Sequence, residues 1–268
     1  MGTTVIRQPA KLLDKTFDVI EVLGDPRRPI AVSFERCRWR ALYALGAMVS
    51  IWGCGNIAGT GVGCSEYPSW AQLDKCRHSS IRFCEVVNGW DRTPISIMPE
   101  DQISLYQSRD CVVAHCWVEG LPGPCPSDHS GSGINIDDGC QRCRVERCYA
   151  VNTGNAGICI TGGQNNRLIE CYAASNQLGA NGDVGFQLHN YYPQSPWGGN
   201  VAIRCFAAWR TRSRGRGEGG WNNYLDPNAP HWHRCGGIRT ANADVGAIVR
   251  AWREAWARVR AACGADRL

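Results

Sequence analysis

Three short segments of this sequence repeat the form Gly-apolar-x-apolar: Gly133-Ile134-Asn135-Ile136, Gly157-Ile158-Cys159-Ile160 and Gly185-Phe186-Gln187-Leu188. Ile103-Ser104-Leu105 fits the same slot earlier in the chain. Alternation sends the apolar residues to one face of a strand and the intervening ones to the other. Stacked in register, one outward column reads Ser104, Asn135, Cys159, Gln187, and the next reads Tyr106, Asp137, Thr161, His189. Asp138, Asn190 and Asp101 lie beside them. Adjacent strands are ~4.8 Å apart, so Asp137 and His189 are expected ~10 Å apart on one face. Carboxyl and imidazole groups suit proton transfer, which makes Asp137, Asp138, His189 and Asp101 the candidate catalytic set. Asp101 with Asp137 falls in reach of the ~6.5–9.5 Å separation used for inverting hydrolysis. Asn135, Gln187, Asn190, Tyr106, Ser104 and Thr161 supply hydroxyls and amides for binding a sugar chain. The competing expectation is plain: polar residues on an exterior face water.

Three other groupings have ligand chemistry. Cys140-x-x-Cys143 with Cys148 is one CxxC without a second pair, and buried thiols in a stacked core explain it as well as zinc does. His231, His233 and Cys235 would share a face if their segment were a strand, which makes them weak metal candidates, with an ordered surface loop as the alternative. Asp128 and His129 sit in a Pro-rich loop, Leu121 to Ser130, expected to wall a groove, although loop polars are commonly just exposed. No cofactor is expected.

The elements that would position these residues come from a longer repeat. Six tetrapeptides read apolar-x-x-Cys and end at Cys37, Cys84, Cys116, Cys148, Cys171 and Cys205. The spacings are 47, 32, 32, 23 and 34 residues. A period near 23 marks a chain that coils and stacks on itself; 32 and 34 add a surface insertion, and 47 leaves room for two turns, one without the marker cysteine. In the last four copies an aromatic follows (Trp117, Tyr149, Tyr172, Phe206), then a small apolar residue. Short strands joined by Gly/Asn turns predict a parallel β-solenoid of about seven or eight rungs, with cysteine as an internal ladder.

Residues 30 to 240 thus resemble the right-handed parallel β-helix family, the fold of pectate lyases and related polysaccharide-active proteins. Pro99 to Tyr106 and Gly185 to Tyr192 also look like an uncharacterised bacterial β-helix group. The resemblance implies an all-β fold, a polysaccharide or oligosaccharide partner on an exterior groove, and lyase- or hydrolase-like chemistry, with calcium entering by fold analogy only. In that fold asparagine ladders are usual at the turn, where this chain has cysteine. Asp137-Asp138 resembles the Asp pair of polygalacturonases, but their Asn-Thr-Asp, Gly-His-Gly and Arg-x-Lys motifs are missing. The arginine base and aspartate cluster of pectate lyases are not evident either. A non-catalytic solenoid used in assembly or display is the competing class.

Residues 1–30 are expected to form an N-terminal strand or cap, 31–240 the β-helix, and 241–268 a C-terminal amphipathic helix. Val245, Ile248, Val249, Trp252, Trp256, Val259 and Cys263 form the apolar stripe of that helix. Its expected role is to cover the open end of the solenoid; contact with a partner, a membrane surface or a second copy is the alternative. The 29 basic and 24 acidic residues give a net charge of +5 without a long basic run, which does not suggest a nucleic-acid partner. No signal peptide or membrane-spanning run is apparent, so a cytoplasmic protein, or a processed or truncated exported one, is expected.

Overall fold

The computed structural model describes residues 2–58, 62–63, 66–67, 69–87, 101–120, 132–153, 156–175, 184–209, 231–239 and 245–265. The loop with Asp128 and His129, and residues 210–230, lie outside these. The described chain winds into successive coils, each a short strand on each of up to three faces. The first coil holds β1 (Thr3–Ile6) and β2 (Ala10–Leu13). The second holds β3 (Val19–Leu23), β4 (Ala31–Glu35) and β5 (Arg38–Trp39); the third holds β6 (Ala41–Leu45), β7 (Met48–Trp52) and β8 (Gly55–Asn56). Next come β9 (Ala71–Asp74), β10 (Ser80–Arg82) and β11 (Glu85–Val87), then β12 (Asp101–Tyr106), β13 (Val112–Ala114) and β14 (Trp117–Glu119). The sixth coil is β15 (Ser132–Ile136), β16 (Arg144–Glu146) and β17 (Tyr149–Val151), and the seventh β18 (Ala156–Ile160), β19 (Arg167–Ile169) and β20 (Tyr172–Ser175). The eighth is β21 (Val184–Leu188), β22 (Val201–Ile203) and β23 (Phe206–Trp209), followed by β24 (Trp232–His233), β25 (Gly236–Arg239) and the helix α1 (Val245–Ala262).

Strands of successive coils pair in parallel to form three sheets of eight, nine and eight strands. Sheet A contains β1, β3, β6, β9, β12, β15, β18 and β21; sheet B runs from β2 to β24; sheet C runs from β5 to β25. The protein is therefore mostly β, a parallel solenoid with one C-terminal helix. Nine strands in sheet B mark nine coils, one or two more than the cysteine spacing suggests, because the ladder already begins at β1 and β2.

The interior is a set of ladders. At the corner between sheets B and C, cysteine occupies one position in eight successive coils: Cys37, Cys54, Cys84, Cys116, Cys148, Cys171, Cys205 and Cys235. Each carbonyl along this column, from Cys37 to Cys205, accepts the amide that starts the sheet C strand one coil on. In several steps the sulfur itself accepts the preceding coil's amide, as in Cys116 N–H to Cys148 Sγ at 3.4 Å. The coil expected to lack a marker cysteine has one, Cys54, only 17 residues after Cys37, because the single residue Arg40 links β5 to β6. Among the described residues fourteen cysteines are free thiols, and all but Cys263 are buried. Burial pushes the Cys84 and Cys148 thiols well up and Cys76 up to about 12, so they stay protonated and pack as small hydrophobes.

Turning the chain at each corner needs a residue in the left-handed region, and much of this chain does so without glycine. Arg36, Phe83, His115, Arg147, Glu170, Arg204 and Arg234 hold φ between 50° and 55° just before the ladder cysteine. A non-glycine residue there costs about 1–2 kcal/mol. Contacts along the column offset it: Phe83 stacks on His115 with centroids 5.0 Å apart, and Glu170 lies between Arg147 at 2.7 Å and Arg204 at 2.5 Å.

Helix α1 does not cover an end of the solenoid. It lies across the outside of sheet C, with Val245 packed on Ala174 and Ala208 and Trp256 packed on Trp117 and Val151. Trp252 lies against Tyr149 and Tyr172, so the aromatics that follow the ladder cysteines are the floor for the helix. The physical reason is the sheet's own surface: Trp117, Tyr149 and Tyr172 stack on one another up the outside and offer an apolar strip for Trp252 and Trp256. Arg253 and Arg260 both pair with Glu85, and Trp256 Nε1 donates to the His115 carbonyl at 2.8 Å. A left-handed Gly264 ends the helix, with the Ala265 amide returning to the Arg260 carbonyl at 3.1 Å. No described helix is long and apolar enough to cross a membrane.

Candidate functional site on sheet A

The glycine of each Gly-apolar-x-apolar strand is fixed by close approach. A Cβ on Gly133 would lie 2.5 Å from the Gly157 carbonyl oxygen and 3.0 Å from methyls of Thr153 and Val118. Beyond the glycine, Ile134, Ile158 and Phe186 point inward, and the residues between them point out. The register is the one the alternation implies: Ser104 pairs with Asn135, Asn135 with Cys159, and Cys159 with Gln187. The column continues down the sheet through Gln72 and Tyr43. One residue on, Asp137 N–H donates to Leu105 O, Thr161 N–H to Ile136 O and His189 N–H to Ile160 O, which stacks the second column Tyr106, Asp137, Thr161, His189.

The outer column is not bathed in water. Ser104 is 5% exposed, Asn135 7%, and Cys159 and Gln187 1% each. Part of the cover is a turn at residues 190–195 that folds back over the sheet. Asn190 Oδ1 accepts the Tyr192 amide at 3.0 Å, the Tyr191 amide donates to Thr161 O at 3.0 Å, and Ser195 N–H closes on Tyr192 O at 2.8 Å. Gln187 Nε2 donates to the Tyr191 hydroxyl at 3.2 Å, and the Tyr192 hydroxyl reaches Asp137.

Beneath this turn, side chains form one polar network. Asn135 Nδ2 donates to Asp101 Oδ2 at 3.1 Å, and Asn135 Oδ1 accepts from the Cys159 thiol at 3.2 Å. The Thr161 hydroxyl stands 2.9 Å from Asn135 Oδ1 and 3.0 Å from Asp137 Oδ1. It has one proton and two acceptors. With Asp137 ionised, Thr161 can donate to it; with Asp137 protonated, Thr161 can accept from it and donate to Asn135. Asp101 and Asp137 are thus joined through one amide and one hydroxyl. Burial raises Asp137's pKa above the ordinary carboxylate value, against hydrogen bonds from Tyr192, Thr161 and the Asp138 amide that pull it down. Burial also pushes Tyr191 up to about 12 and, together with the Asp137 charge, raises Tyr192 further.

The remaining candidates are dispersed around this centre. Asp138 is next to Asp137 but turns its Oδ1 into a buried position with no hydrogen-bond partner among the described residues. Tyr106 lies one coil below Asp137, near both aspartates, and its pKa is raised by burial and then by the Asp138 charge. His189 lies beyond Thr161 and packs edge-on against Tyr191, with centroids 4.8 Å apart. The structure brings Asp101, Asn135, Asp137 and Thr161 into one bonded group and keeps His189 two coils from Asp137.

The metal candidates part company. His233 is exposed on β24, whereas the left-handed Arg234 (φ 53°) breaks the alternation and turns Cys235 inward to the ladder. His231 precedes the strand and does not join them in a ligand set. Among the described residues no group of three or more His, Cys, Asp or Glu side chains could hold a metal ion. Calcium does not fit the Asp137 network, since Asp137 faces hydroxyl and amide donors and holds its proton more tightly than usual. Cys140 and Cys143 are buried at separate corner positions.

Sequence reasoning missed Tyr191 and Tyr192 as network members. Their signal is the Asn190 side chain at the start of a turn, which sends the chain back over its own strand. No family model matches the chain, and no curated protein matches it.

Proposed function

We propose that the protein is a right-handed, pectate-lyase-like β-helix that binds a polysaccharide chain along the outside of sheet A and acts on it through Asp137. The supporting observation is a desolvated carboxyl with raised proton affinity, held by Tyr192 and Thr161 and linked to a second carboxyl, Asp101. Such a pair is suited to giving a proton to a leaving oxygen and taking one elsewhere. In this reading Asp137 is the acid, Asp101 the second carboxyl, and Asn135 with Thr161 the connection between them. Asp138, His189, Tyr106, Asn190 and Gln187 border the binding strip.

A second reading is favoured by the near-complete burial of Ser104, Asn135, Cys159 and Gln187. Here the network is a hydrogen-bonded seam and the solenoid binds or displays without turnover. A glycan-array and activity screen with Asp137→Asn as control separates the two. The catalytic reading expects binding by both proteins and turnover by the parent alone. Binding without turnover, unchanged by the substitution, overturns it.

A further inference from the structure

Beside the Asp137 network, the corner between sheets A and B carries a cleft of about 770 Å³, with Asp138 and Ser195 on the side nearest that network. Its wall is a column of single bridge residues in consecutive coils, Arg77 to Arg109 to Gln141. Left-handed Lys75, Asp110 and Arg142 on either side make the corner sharp. The lining includes Arg27, Lys75, Arg77, Arg109 and Arg142 against Asp110 and Asp138, an excess of three positive charges. Arg142 is committed to Asp110 through two parallel bonds of 2.7 and 2.8 Å. Arg77 and Arg109 form no ion pair among the described residues, and their backbones stand one coil, ~4.8 Å, apart. Both residues line the same cleft from adjacent coils, so an anion bound there is attracted to both charges.

The chemistry of the lining narrows the anion. Guanidinium forks match phosphate and carboxylate oxygens alike. An excess of three charges in one cleft is met better by a phosphate monoester, at about −1.5 to −2, than by a singly charged carboxylate. Among the described residues the lining has no Phe, Tyr or Trp ring on which nucleic-acid bases could stack. Gln107, Gln141 and Ser195 instead offer amide and hydroxyl groups of the kind that bind sugar hydroxyls. We propose that this corner cleft is a phosphate-binding site that takes a phosphorylated sugar, with Arg77 and Arg109 holding the phosphate.

The test is calorimetric titration of the intact protein with glucose 6-phosphate, inorganic phosphate and glucuronate, repeated with Arg77→Gln/Arg109→Gln and with Lys75→Gln. Glucose 6-phosphate should bind, at least tenfold more weakly to the double variant and severalfold more weakly to Lys75→Gln. Glucuronate should bind at least tenfold more weakly than the phosphate ester. Tighter binding of glucose 6-phosphate than of inorganic phosphate supports the sugar as part of the ligand; equal binding overturns that half. Equal binding of glucuronate, or a double variant that keeps its fold by circular dichroism and its affinity, overturns the phosphate site. The readout is binding of soluble phosphates and glucuronate and needs no turnover, so its failure and that of the sheet A reading are told apart.

Discussion

The Cys143 amide donates to Asn166 Oδ1 in the next coil at 2.9 Å, and the Asn166 amide donates to Asn200 Oδ1, also at 2.9 Å. One column thus passes from Cys111 and Cys143 to asparagine while the side chain keeps accepting the amide of the coil before. Serine does the same at Ser79 and Ser108, for the amides of Val49 and Cys76. The corner asks for a small acceptor on a short stem, and a thiol is the weakest version of it. The cysteines are interchangeable parts of a backbone-satisfying column, not a ligand set.

Substitution in the other column should follow that rule. Cys148 Sγ lies 3.6 Å from Val113 O and 3.4 Å from Glu146 O, carbonyls that an amide NH₂ could reach. Cys148→Asn is expected to keep more stability in urea unfolding than Cys148→Ala, which should lose about 1–2 kcal/mol through the cavity it leaves. Thiol titration of native protein should find Cys263 fast and the buried ladder unreactive until denaturant is added. Rapid labelling of the ladder cysteines in the folded state would contradict this.

The Asp137 network has a definite pH sign. Its raised pKa means that the folded chain holds this proton more tightly than the unfolded chain, whose value is the ordinary 3.8. Stability from this group is therefore greatest in acid, falls as pH rises from the unfolded value through the raised one, and levels off above it. Asp137→Asn removes the penalty. Melting curves from pH 3 to 8 should show the variant more stable than the parent at pH 7, with the gap closing in acid. A variant less stable at pH 7 would refute the assignment of burial as the dominant cause.

Two strand glycines on different sheets should respond oppositely to alanine. Gly133→Ala drives a methyl into a carbonyl oxygen of the next coil and should cost several kcal/mol, as overpacking at backbone does. A Cβ added at Gly236 would have its nearest neighbour among the described residues, a Phe206 ring carbon, at 3.8 Å, and Gly236 has no left-handed φ. Gly236→Ala should be neutral or stabilise by about 0.4–1 kcal/mol. Chemical denaturation of both variants decides the matter.

Glu85 fastens the far end of α1 by pairing with Arg253 and Arg260. Arg253 also lies over the Trp117 and Trp256 rings at 4.6 and 4.9 Å. Glu85→Gln leaves two partly buried cations short of a counter-charge, and Trp256→Ala empties the helix's main anchor, at about 3–5 kcal/mol. Hydrogen exchange should quicken in 253–262 in the first variant and along the whole helix in the second. Unchanged exchange in both would mean that the helix is held elsewhere.

The sequence carried the ladder positions and the register of both outer columns because period-2 alternation and a fixed corner residue leave few alternatives. Cys54 was hidden because its coil is shorter than the rest, although Ile51-Trp52-Gly53-Cys54 has the marker form. The inward turn of Cys235 depended on Arg234 being left-handed, which no side-chain pattern announces. The burial of Asn135 and Gln187 was illegible for a different reason: part of their cover, Tyr191 and Tyr192, arrives through a turn, and alternation says only which way a side chain points. The amphipathic stripe of α1 was plain, but amphipathicity names a buried face without naming what buries it.

The course of α1 over sheet C bears on how the molecule comes apart. A stack of coils in which each touches only its neighbours can fray from an end, one coil at a time. Here the helix, 18 residues or ~27 Å long, is fastened at Ala208 in the eighth coil and at Glu85 in the fourth. A coil between those points cannot leave without releasing the helix from the others. Coils four to eight should therefore melt as one cooperative block, with stepwise loss confined to the turns on either side.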